Sequence, residues 1–349
     1  MRTVKRQKRK SNRAAQPLHI SEDKMTVIDA IIQGAVQGLT EFLPVSSSGH
    51  LAISQHILGV TDSNLFFSVM LHIGTLLAVL VFYRKTVAEV FMGFVSLVQD
   101  IAKRRFSFKN MTHSQNMAVM LIIGLLPLLL ILLPVPGSGG MSAKDLAEVW
   151  SADTGYFIMV GVALLFTSIL LLVGIGANRN TVMRERREAR EAGVHTRSTK
   201  GAGRHHLNPI DAVLIGTAQL FAAIFPGLSR SGSTLAMGQL CGLNKQTALD
   251  YSFILGIPSI LAAALLEGKD AVASGALQSL EIVPALVGVA VSAVVGFFAI
   301  LIFKWMLKKD RMYIFVIYTA IAALAVIIIS IIELQSGVNI FTGKQLNYV

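Results

Sequence analysis

The chain has few charged residues and a single cysteine, and both shortages restrict what it can be. Only 15% of its 349 residues are charged and 53% are apolar, a balance outside the range of ordinary soluble proteins of this size. One cysteine, Cys241, excludes an internal disulfide and leaves the redox compartment undetermined. The composition therefore predicts a polytopic helical membrane protein.

Six apolar runs are each long enough to span a bilayer, which requires about 20 residues of helix. They cover roughly residues 64–83, 114–134, 155–177, 247–266, 282–303 and 312–332.

Acidic residues are scarce, and the net charge is +11. In a soluble protein this charge would indicate a nucleic-acid partner. Here the basic residues flank apolar runs, where anionic lipid and topology account for them, so no nucleic-acid partner is expected.

The loops between these runs alternate in charge. Three are basic and two are acidic: 84–112, 178–207 and 304–311 against 135–154 and 267–281. The positive-inside rule places the basic loops in the cytoplasm and the acidic loops outside. The chain's C-terminus then lies outside as well.

Two stretches of the chain repeat one pattern. Residues 34–51 read GAVQGLTEFLPVSSSGHL, and residues 216–235 read GTAQLFAAIFPGLSRSGSTL. Gly34, Gln37 and Pro44 recur in the second stretch at a constant offset. Each copy predicts a mostly apolar helix, a proline break, a turn rich in serine and glycine, and a second short segment. The duplication indicates one site built from both halves of the chain.

Neither copy is a good transmembrane span. Residues 27–43 would form about 25 Å of helix before Pro44 ends it, and residues 50–58 are then too short to cross. The same holds for residues 209–225 followed by 232–241. We therefore expect two re-entrant helical hairpins, whose irregular turns lie at membrane depth against protein or a cavity.

Three spans separate the hairpins, so the second should enter the membrane from the face opposite the first, with the shared site near the midplane. The predicted fold class is an all-α polytopic membrane protein, with six transmembrane helices and two re-entrant hairpins in an inverted-topology repeat. Its segments are a basic, disordered tail (1–25), a first repeat (26–177, hairpin 27–58), a charged cytoplasmic loop (178–207), a second repeat (208–335, hairpin 209–241) and a C-terminal stub (336–349). This arrangement puts the basic tail outside, against the positive-inside rule.

The first hairpin has a polar helix face and a polar turn. Gln33, Gln37 and Glu41 are spaced four residues apart, which aligns them on one face. An ionisable group at membrane depth is a functional candidate, and a polar contact between helices is the alternative. The turn PVSSSGH adds three hydroxyls and then His50 near the start of the next helix, whose backbone N–H groups favour an anion.

The second turn, PGLSRSGST, repeats this device around Arg230. A guanidinium binds phosphate oxygens in a bidentate manner and stays charged when desolvated. Hydroxyls surround it, from Ser229, Ser231, Ser233 and Thr234. Together the two turns predict a binding site for phosphate or diphosphate. A buried pair between Arg230 and Glu41 that only joins the repeats is the alternative.

Hydrolysis of a phosphoanhydride needs charge neutralisation, a nucleophile and proton transfer to the leaving group. Arg230 and the turn amides can supply the first, and Ser47 or His50 the second. Glu41 can act as a base or hold a divalent cation that bridges diphosphate oxygens. His50 could instead protonate the leaving phosphate, and the sequence leaves the attacking group open.

Four other polar residues carry less weight. His72 lies within the first span, where it either lines a cavity or packs between helices. Asp250 opens the fourth span, a position that favours an acid. Glu267 and Glu333 lie at span ends and are expected in solvent.

Together, GLTEFLPVSSSGH and PGLSRSGST resemble the BacA/UppP-type undecaprenyl-diphosphatases, the bacitracin-resistance enzymes. The resemblance covers about residues 26–335. The family's first motif, Glu or Gln, three residues, then Glu, falls on Gln37 and Glu41, so Glu41 is the one carboxylate of that motif. The remaining motif positions fall on Ser46, Ser47, Ser48, Gly49 and His50 in the first turn and on Pro226, Gly227, Ser229, Arg230, Ser231 and Thr234 in the second.

The resemblance implies a hydrolase that converts undecaprenyl diphosphate to undecaprenyl phosphate and inorganic phosphate, which recycles the lipid carrier of cell-wall polymers. It implies a divalent cation, Mg²⁺ or Ca²⁺, with Glu41 as a ligand. It further implies a polyprenyl diphosphate as lipid substrate and a multi-pass protein of the bacterial inner membrane whose site opens to the outer face. A homodimer is compatible with it.

Three other functions compete with this one. A secondary transporter or flippase for a lipid phosphate or another anion would also use inverted repeats and broken helices, although a pure anion site does not require Ser, His and Glu beside Arg. The phosphatidate-phosphatase superfamily needs a second histidine shortly after the Ser-Arg pair, and none occurs from Ser229 to Gln239. A purely structural protein would leave Glu41, His50 and Arg230 unexplained.

Overall fold

A computed structural model describes residues 25–59, 65–107, 110–152, 156–193, 201–273 and 281–346. The predicted disordered tail lies outside these residues apart from Met25, and so does the end of the C-terminal stub, residues 347–349. In the described part the chain forms α-helices and no β-strand, which confirms the all-α fold class.

Twelve α-helices are found in the described residues. They are α1 (Val27–Phe42), α2 (Ser47–Leu58), α3 (Leu65–Phe82), α4 (Arg84–Ala102), α5 (His113–Leu125), α6 (Ala143–Ala152), α7 (Tyr156–Glu191), α8 (Pro209–Ile224), α9 (Arg230–Leu240), α10 (Lys245–Ala273), α11 (Ile282–Lys308) and α12 (Tyr313–Ser336). A 3₁₀ helix, Leu126–Leu132, continues α5.

Five of these segments are long and apolar enough to cross a membrane: α5 with its 3₁₀ extension, α7, α10, α11 and α12. The pair α3 and α4 passes the same test together but is bent by 85°. If that pair is one span, the described chain has six, the predicted number. The length and hydropathy of these helices confirm a polytopic membrane protein. The inverted topology stays a prediction.

Two predicted loops are largely helical. Helix α4 occupies most of the basic segment 84–112; its apolar side chains Phe91, Met92 and Phe94 are exposed, and Leu97 is buried. Such a helix is suited to lie along a membrane surface. Helix α7 continues to Glu191, well into the predicted loop 178–207.

The two predicted hairpins are pairs of short helices, α1 with α2 and α8 with α9. Helices α1 and α8 have 16 residues each, about 24 Å of helix, which is short of a bilayer core of about 30 Å. Pro44 follows the end of α1, and Pro226 follows the end of α8. The helix bounds agree closely with the predicted hairpins 27–58 and 209–241.

The first helix of each hairpin begins with the same kind of cap. Thr26 caps α1 and Asn208 caps α8, and an aspartate three residues later, Asp29 or Asp211, bonds back to the cap backbone N–H. Such capping boxes satisfy two backbone amides at a helix start. The repeat therefore extends to the helix caps, beyond residues 34–51 and 216–235.

Arg204 fastens the two ends of the second hairpin together. Its guanidinium donates to both carboxylate oxygens of Asp211 at the start of α8 (2.9 and 2.8 Å) and to the carbonyl of Cys241 just after α9 (2.7 Å). The hydrogen bonds to Asp211 raise the pKa of Arg204 above its ordinary value. The guanidinium therefore stays charged and the hairpin is held closed at its base.

Each hairpin is packed against the other half of the chain through glycine. A Cβ on Gly34 of α1 would stand 2.7 Å from the carbonyl oxygen of Gly288 in α11. A Cβ on Gly216 of α8 would stand 2.2 Å from the carbonyl oxygen of Gly124 in α5. Small residues allow this close approach of helices, which is how membrane helices gain packing energy.

Loops of like charge meet in space. The two acidic loops are joined by an ion pair between Lys144 and Asp270. The three basic loops contribute Arg84, His205 and Lys304 to the lining of one cavity.

The prediction that Glu333 is solvated is wrong, because the C-terminal end of α12 is covered by α2 and by the following loop. Its carboxylate is buried, 2.9 Å from His56 Nε2.

Candidate active site

The tips of the two hairpins touch each other. The hydroxyl of Ser48 accepts a hydrogen bond from the backbone N–H of Gly227 (3.3 Å), and the hydroxyl of Ser231 donates to the carbonyl of Leu43 (3.1 Å). Two residues separated by about half the chain are thus paired in each bond. The prediction that both turns contribute to one place therefore agrees with this geometry.

Glu41 and Arg230 form an ion pair across this contact. Glu41 lies in the last turn of α1 with its side chain 4% exposed, and one of its carboxylate oxygens pairs with the guanidinium of Arg230. The other oxygen accepts hydrogen bonds from Ser47 (2.7 Å) and Gln37 (2.9 Å), and His72 Nε2 lies 3.7 Å from it. Pairing and hydrogen bonding on every side are what a buried charge requires.

His50 is held by two contacts. Its Nδ1 lies 2.8 Å from the carbonyl oxygen of Ser46, which can only accept, so Nδ1 carries a hydrogen. Its Nε2 lies 2.7 Å from the hydroxyl of Tyr318 in α12, and the two rings stack with centroids 5.5 Å apart. In the neutral imidazole, Nε2 therefore accepts from Tyr318. No sequence pattern points to Tyr318, because 268 residues separate it from His50.

Serines cap the second helix of each hairpin. Ser46 caps α2 by accepting from the N–H of Gly49 (3.1 Å), and Ser229 caps α9 by accepting from the N–H of Gly232 (3.1 Å). Ser46 has a φ of +74°, which is uncommon and costly for a residue with a side chain. The capping bonds help hold this strained turn.

Gly227 of the second turn also needs to be glycine. Its φ is +88°, and a Cβ there would stand 3.1 Å from the Cα of Val160 in α7. The backbone of this turn therefore packs directly on α7. Close packing fixes where its N–H points, which is toward Ser48 of the first turn.

Only some of the predicted site residues reach the accessible surface. Ser48 is exposed, and Ser47, His50 and Arg230 are partly exposed. The other predicted hydroxyls are buried, from Ser46, Ser229, Ser231, Ser233 and Thr234. We call the group of Glu41, Ser47, His50 and Arg230 the tip site. Ser47 and Arg230 both contact Glu41. His50 is included because its imidazole is partly exposed near the start of α2, although its own contacts are with Ser46 and Tyr318.

Gly256 of α10 is a further residue of the site that sequence patterns do not identify. A Cβ on Gly256 would stand 1.9 Å from Nη1 of Arg230. The guanidinium thus lies directly against the backbone of α10. No motif surrounds Gly256, and only the packed structure reveals its role.

The fit of a divalent cation can be judged from the oxygen donors present. The described residues hold no group of three or more His, Cys, Asp and Glu side chains that could bind a metal ion. The amide oxygen of Gln37 is buried and has no hydrogen-bond partner in the described chain, while the Gln37 amide nitrogen donates to Glu41. Mg²⁺ is commonly held by one or two protein oxygens together with substrate phosphates. Gln37 and Glu41 fit that role, and they do not form a complete site alone.

Comparison with known proteins gives a consistent result. Residues 30–325 match the family described as Bacitracin resistance protein BacA. An undecaprenyl-diphosphatase from Alkaliphilus metalliredigens is 33% identical over 309 residues, which cover 88% of this chain and 100% of the relative. One from Methanosphaera stadtmanae is 33% identical over 88% of this chain and 99% of the relative. Undecaprenyl-diphosphatase 1 of Shouchella clausii is 30% identical over 87% of this chain and 96% of the relative.

Proposed function

The chain belongs to the bacitracin resistance protein BacA family, and we propose that the tip site is where this undecaprenyl-diphosphatase cleaves its substrate. The protein is an integral-membrane hydrolase that acts on undecaprenyl diphosphate. One observation supports the site most strongly. The Ser47–Glu41 hydrogen bond of the first hairpin lies against Arg230 of the second, so nucleophile, base and phosphate-binding cation are adjacent.

Arg230 and the start of α9 bind the diphosphate in this proposal. The Arg230 side chain is 21% exposed, so part of the guanidinium remains available for phosphate oxygens after pairing with Glu41. The positive end of the α9 dipole adds to this attraction. The isoprenoid tail of the substrate then leaves between helices into the bilayer.

Ser47 is the attacking group in this proposal, and Glu41 is its base. As Ser47 Oγ attacks the terminal phosphorus, its proton passes to Glu41, and the bond from that phosphorus to the bridging oxygen breaks. Undecaprenyl phosphate leaves. Water then attacks the phosphoserine and releases inorganic phosphate, with the proton returned to Ser47. His50 is the weaker nucleophile because both of its ring nitrogens already have partners.

We propose that the buried hydroxyls shape the turns and do not contact phosphate directly. Ser46 and Ser229 cap helices, Ser231 joins the tips, and Thr234 bonds to the carbonyl of Arg230 (2.9 Å). We assign these residues to shaping the turns. Direct contact with phosphate is left to the accessible side chains of Ser47, Ser48 and Arg230.

A divalent cation, Mg²⁺ or Ca²⁺, is proposed as the metal cofactor. Gln37 and Glu41 would hold it, with substrate oxygens completing its coordination. When bound it would neutralise charge on the diphosphate. We also propose that the protein resides in the plasma membrane of a bacterium with the tip site open to the outer face, as the resemblance to the BacA/UppP-type enzymes implies. A homodimer stays a prediction.

Phosphate release from undecaprenyl diphosphate by the purified chain in detergent tests the site. We expect Glu41→Ala and Arg230→Ala to abolish release, and EDTA to suppress it in the unmodified protein. Ser47→Ala should abolish both release and the acid-stable phosphoserine formed after rapid quenching with substrate labelled at the terminal phosphate. Ser54→Ala is the matched control, since Ser54 lies in the same helix and its hydroxyl bonds, among the described residues, only to the carbonyl of Leu51. Full activity in Glu41→Ala or Arg230→Ala would contradict the site, and labelled Ser47→Ala protein would contradict the nucleophile.

A further inference from the structure

A large cavity opens among the basic loops, away from the tip site. Its volume is about 660 Å³, within the range of small-molecule sites. The corner between α3 and α4, the start of α5, the loop before α8, the start of α10 and the end of α11 line it. We call it the basic-face cavity.

Basic side chains outnumber acidic ones in the lining of this cavity. Its cationic and imidazole side chains are Arg84, Lys85, Lys304, His113, His205 and His206, and its carboxylates are Glu89 and Asp250. Asp250 is already satisfied: it accepts from Lys304 (2.9 Å), Tyr83 (2.6 Å) and Gln246 (3.0 Å). Lys85 makes no ion pair with any residue that the structure describes. Arg84 and Lys85 therefore face the cavity with Glu89 as the one remaining described countercharge.

Three helices also begin at this cavity. Arg84 is the first residue of α4, His113 is the first of α5, and Thr247 lies in the first turn of α10. Each helix start carries a partial positive charge, and the N-cap residue of α4, Tyr83, makes no side-chain capping bond within the described part of the chain. The starts of these helices act in the same direction as the cationic side chains, and the ends of α3 and α11 at the cavity partly offset them. Their combination suits a compact, multiply charged anion such as phosphate.

An aromatic layer separates the basic-face cavity from the tip site. The ring of Phe253 lies 5.4 Å from that of Phe42 and 6.1 Å from that of Tyr83. Along α10, Asp250 of the cavity and Gly256 of the tip site are six residues apart, about 9 Å of helix. The two sites are therefore neighbours on one helix without sharing a lining residue.

We propose that the basic-face cavity is a second anion site, which binds a phosphate group. The group is either free inorganic phosphate or the headgroup of a lipid monophosphate, since both present the same oxygens. Arg84, Lys85 and the starts of α4 and α5 hold it, and the histidines supply further donors. This site is independent of the cleavage chemistry assigned to the tip site.

Equilibrium binding of inorganic phosphate to the full chain in detergent tests the proposal. All variants carry Arg230→Gln, which removes the principal phosphate ligand of the tip site, so that binding reports the cavity. We expect saturable binding in this background and a loss of about tenfold in affinity on adding Arg84→Gln with Lys85→Gln. Lys103→Gln with Arg105→Gln removes the same charge from the far end of α4, outside the cavity, and should leave affinity unchanged. Gel filtration and the melting temperature establish that each variant folds. If Arg230→Gln does not fold, the number of bound phosphates is measured without that substitution. The unmodified protein should then bind two phosphates, and the variant with Arg84→Gln and Lys85→Gln should bind one.

Competition by a short-chain polyprenyl monophosphate identifies the source of the phosphate group. Displacement at a concentration about ten times lower than that of inorganic phosphate would indicate a lipid headgroup, and equal or weaker competition would indicate the free ion. Either result supports the site. Absence of saturable phosphate binding, or an equal loss in the cavity pair and the control pair, would overturn it.

Discussion

The α-carbon of Gly256 lies against the guanidinium of Arg230, so closely that a methyl group there would stand 1.9 Å from Nη1. Arg230 is thus held between Glu41 on one side and the α10 backbone on the other. A long flexible side chain is confined to one position by these two contacts. Confinement of this kind reduces the entropy lost when the side chain engages phosphate.

Replacing Gly256 by alanine should disable the enzyme without unfolding it. Gly256→Ala must push the guanidinium away from its position, and displacement of about 1 Å can cost roughly 100-fold in rate. Turnover measured by phosphate release should fall by about that factor while the melting temperature changes little. Gly268→Ala is the control, because nothing lies within 4 Å of a Cβ at Gly268 in the same helix. Equal activity in the two variants would contradict the role of Gly256.

Ser231 and Ser233 should respond in opposite ways to alanine. The hydroxyl of Ser231 donates to the carbonyl of Leu43 in the other hairpin. Its loss should cost about 1 kcal/mol, because the N–H of Val45 still donates to that carbonyl. The hydroxyl of Ser233 is buried with no partner in the described chain, so removing it should be neutral or stabilising. Thermal unfolding in detergent measures both. A larger loss in Ser233→Ala would show that its hydroxyl has a partner.

The hydrogen bonds from Arg204 to Asp211 and to the carbonyl of Cys241 should contribute far more to stability than an exposed ion pair. Arg204→Ala leaves the buried carboxylate of Asp211 without its two charged hydrogen bonds, and we expect a loss of about 1.5–3 kcal/mol. Arg187→Ala breaks an exposed pair with Glu191 and should cost less than about 1 kcal/mol. Denaturation of both variants in the same detergent gives the comparison. Similar losses would mean that Arg204 does not hold the hairpin.

Tyr318 should act as a positioning residue for His50. Tyr318→Phe keeps the stacked ring but removes the hydroxyl that contacts Nε2. We expect kcat to fall about tenfold with little change in KM, because the imidazole loses the contact that fixes its orientation. Tyr313→Phe, at the exposed start of α12, is the control. A change confined to KM would instead place the hydroxyl in substrate binding.

The helices and turns of the hairpins could be predicted because their signals are local. Proline after an apolar helix, serine at a helix start and polar residues four apart each act through neighbouring residues. Contact between the tips, and the place of Arg230 beside Glu41, instead follow from the duplication of the pattern in the two halves of the chain. The length of α7 was missed because charged residues end a membrane run without ending a helix; its exposed end instead carries pairs such as Arg187 with Glu191.

The contacts made by other helices could not be predicted. Gly256 and Tyr318 reach the site only through the packing of α10 and α12, and nothing in their local sequence differs from ordinary membrane helix. The roles of Ser231 and Ser233 depend on the direction of each side chain, which a serine-rich turn does not specify. Packing decides which hydroxyl bonds and which remains alone.

The glycine contacts between the halves also constrain how the protein is made. Gly34 of α1 packs on Gly288 of α11, so the first hairpin to leave the ribosome cannot reach its final partner until most of the chain has been synthesised. Until then the glycine face of α1 has no α11 to pack against. Membrane insertion and assembly of this protein are therefore separate events, and a chain truncated before α11 should be inserted yet remain a substrate for quality-control proteases.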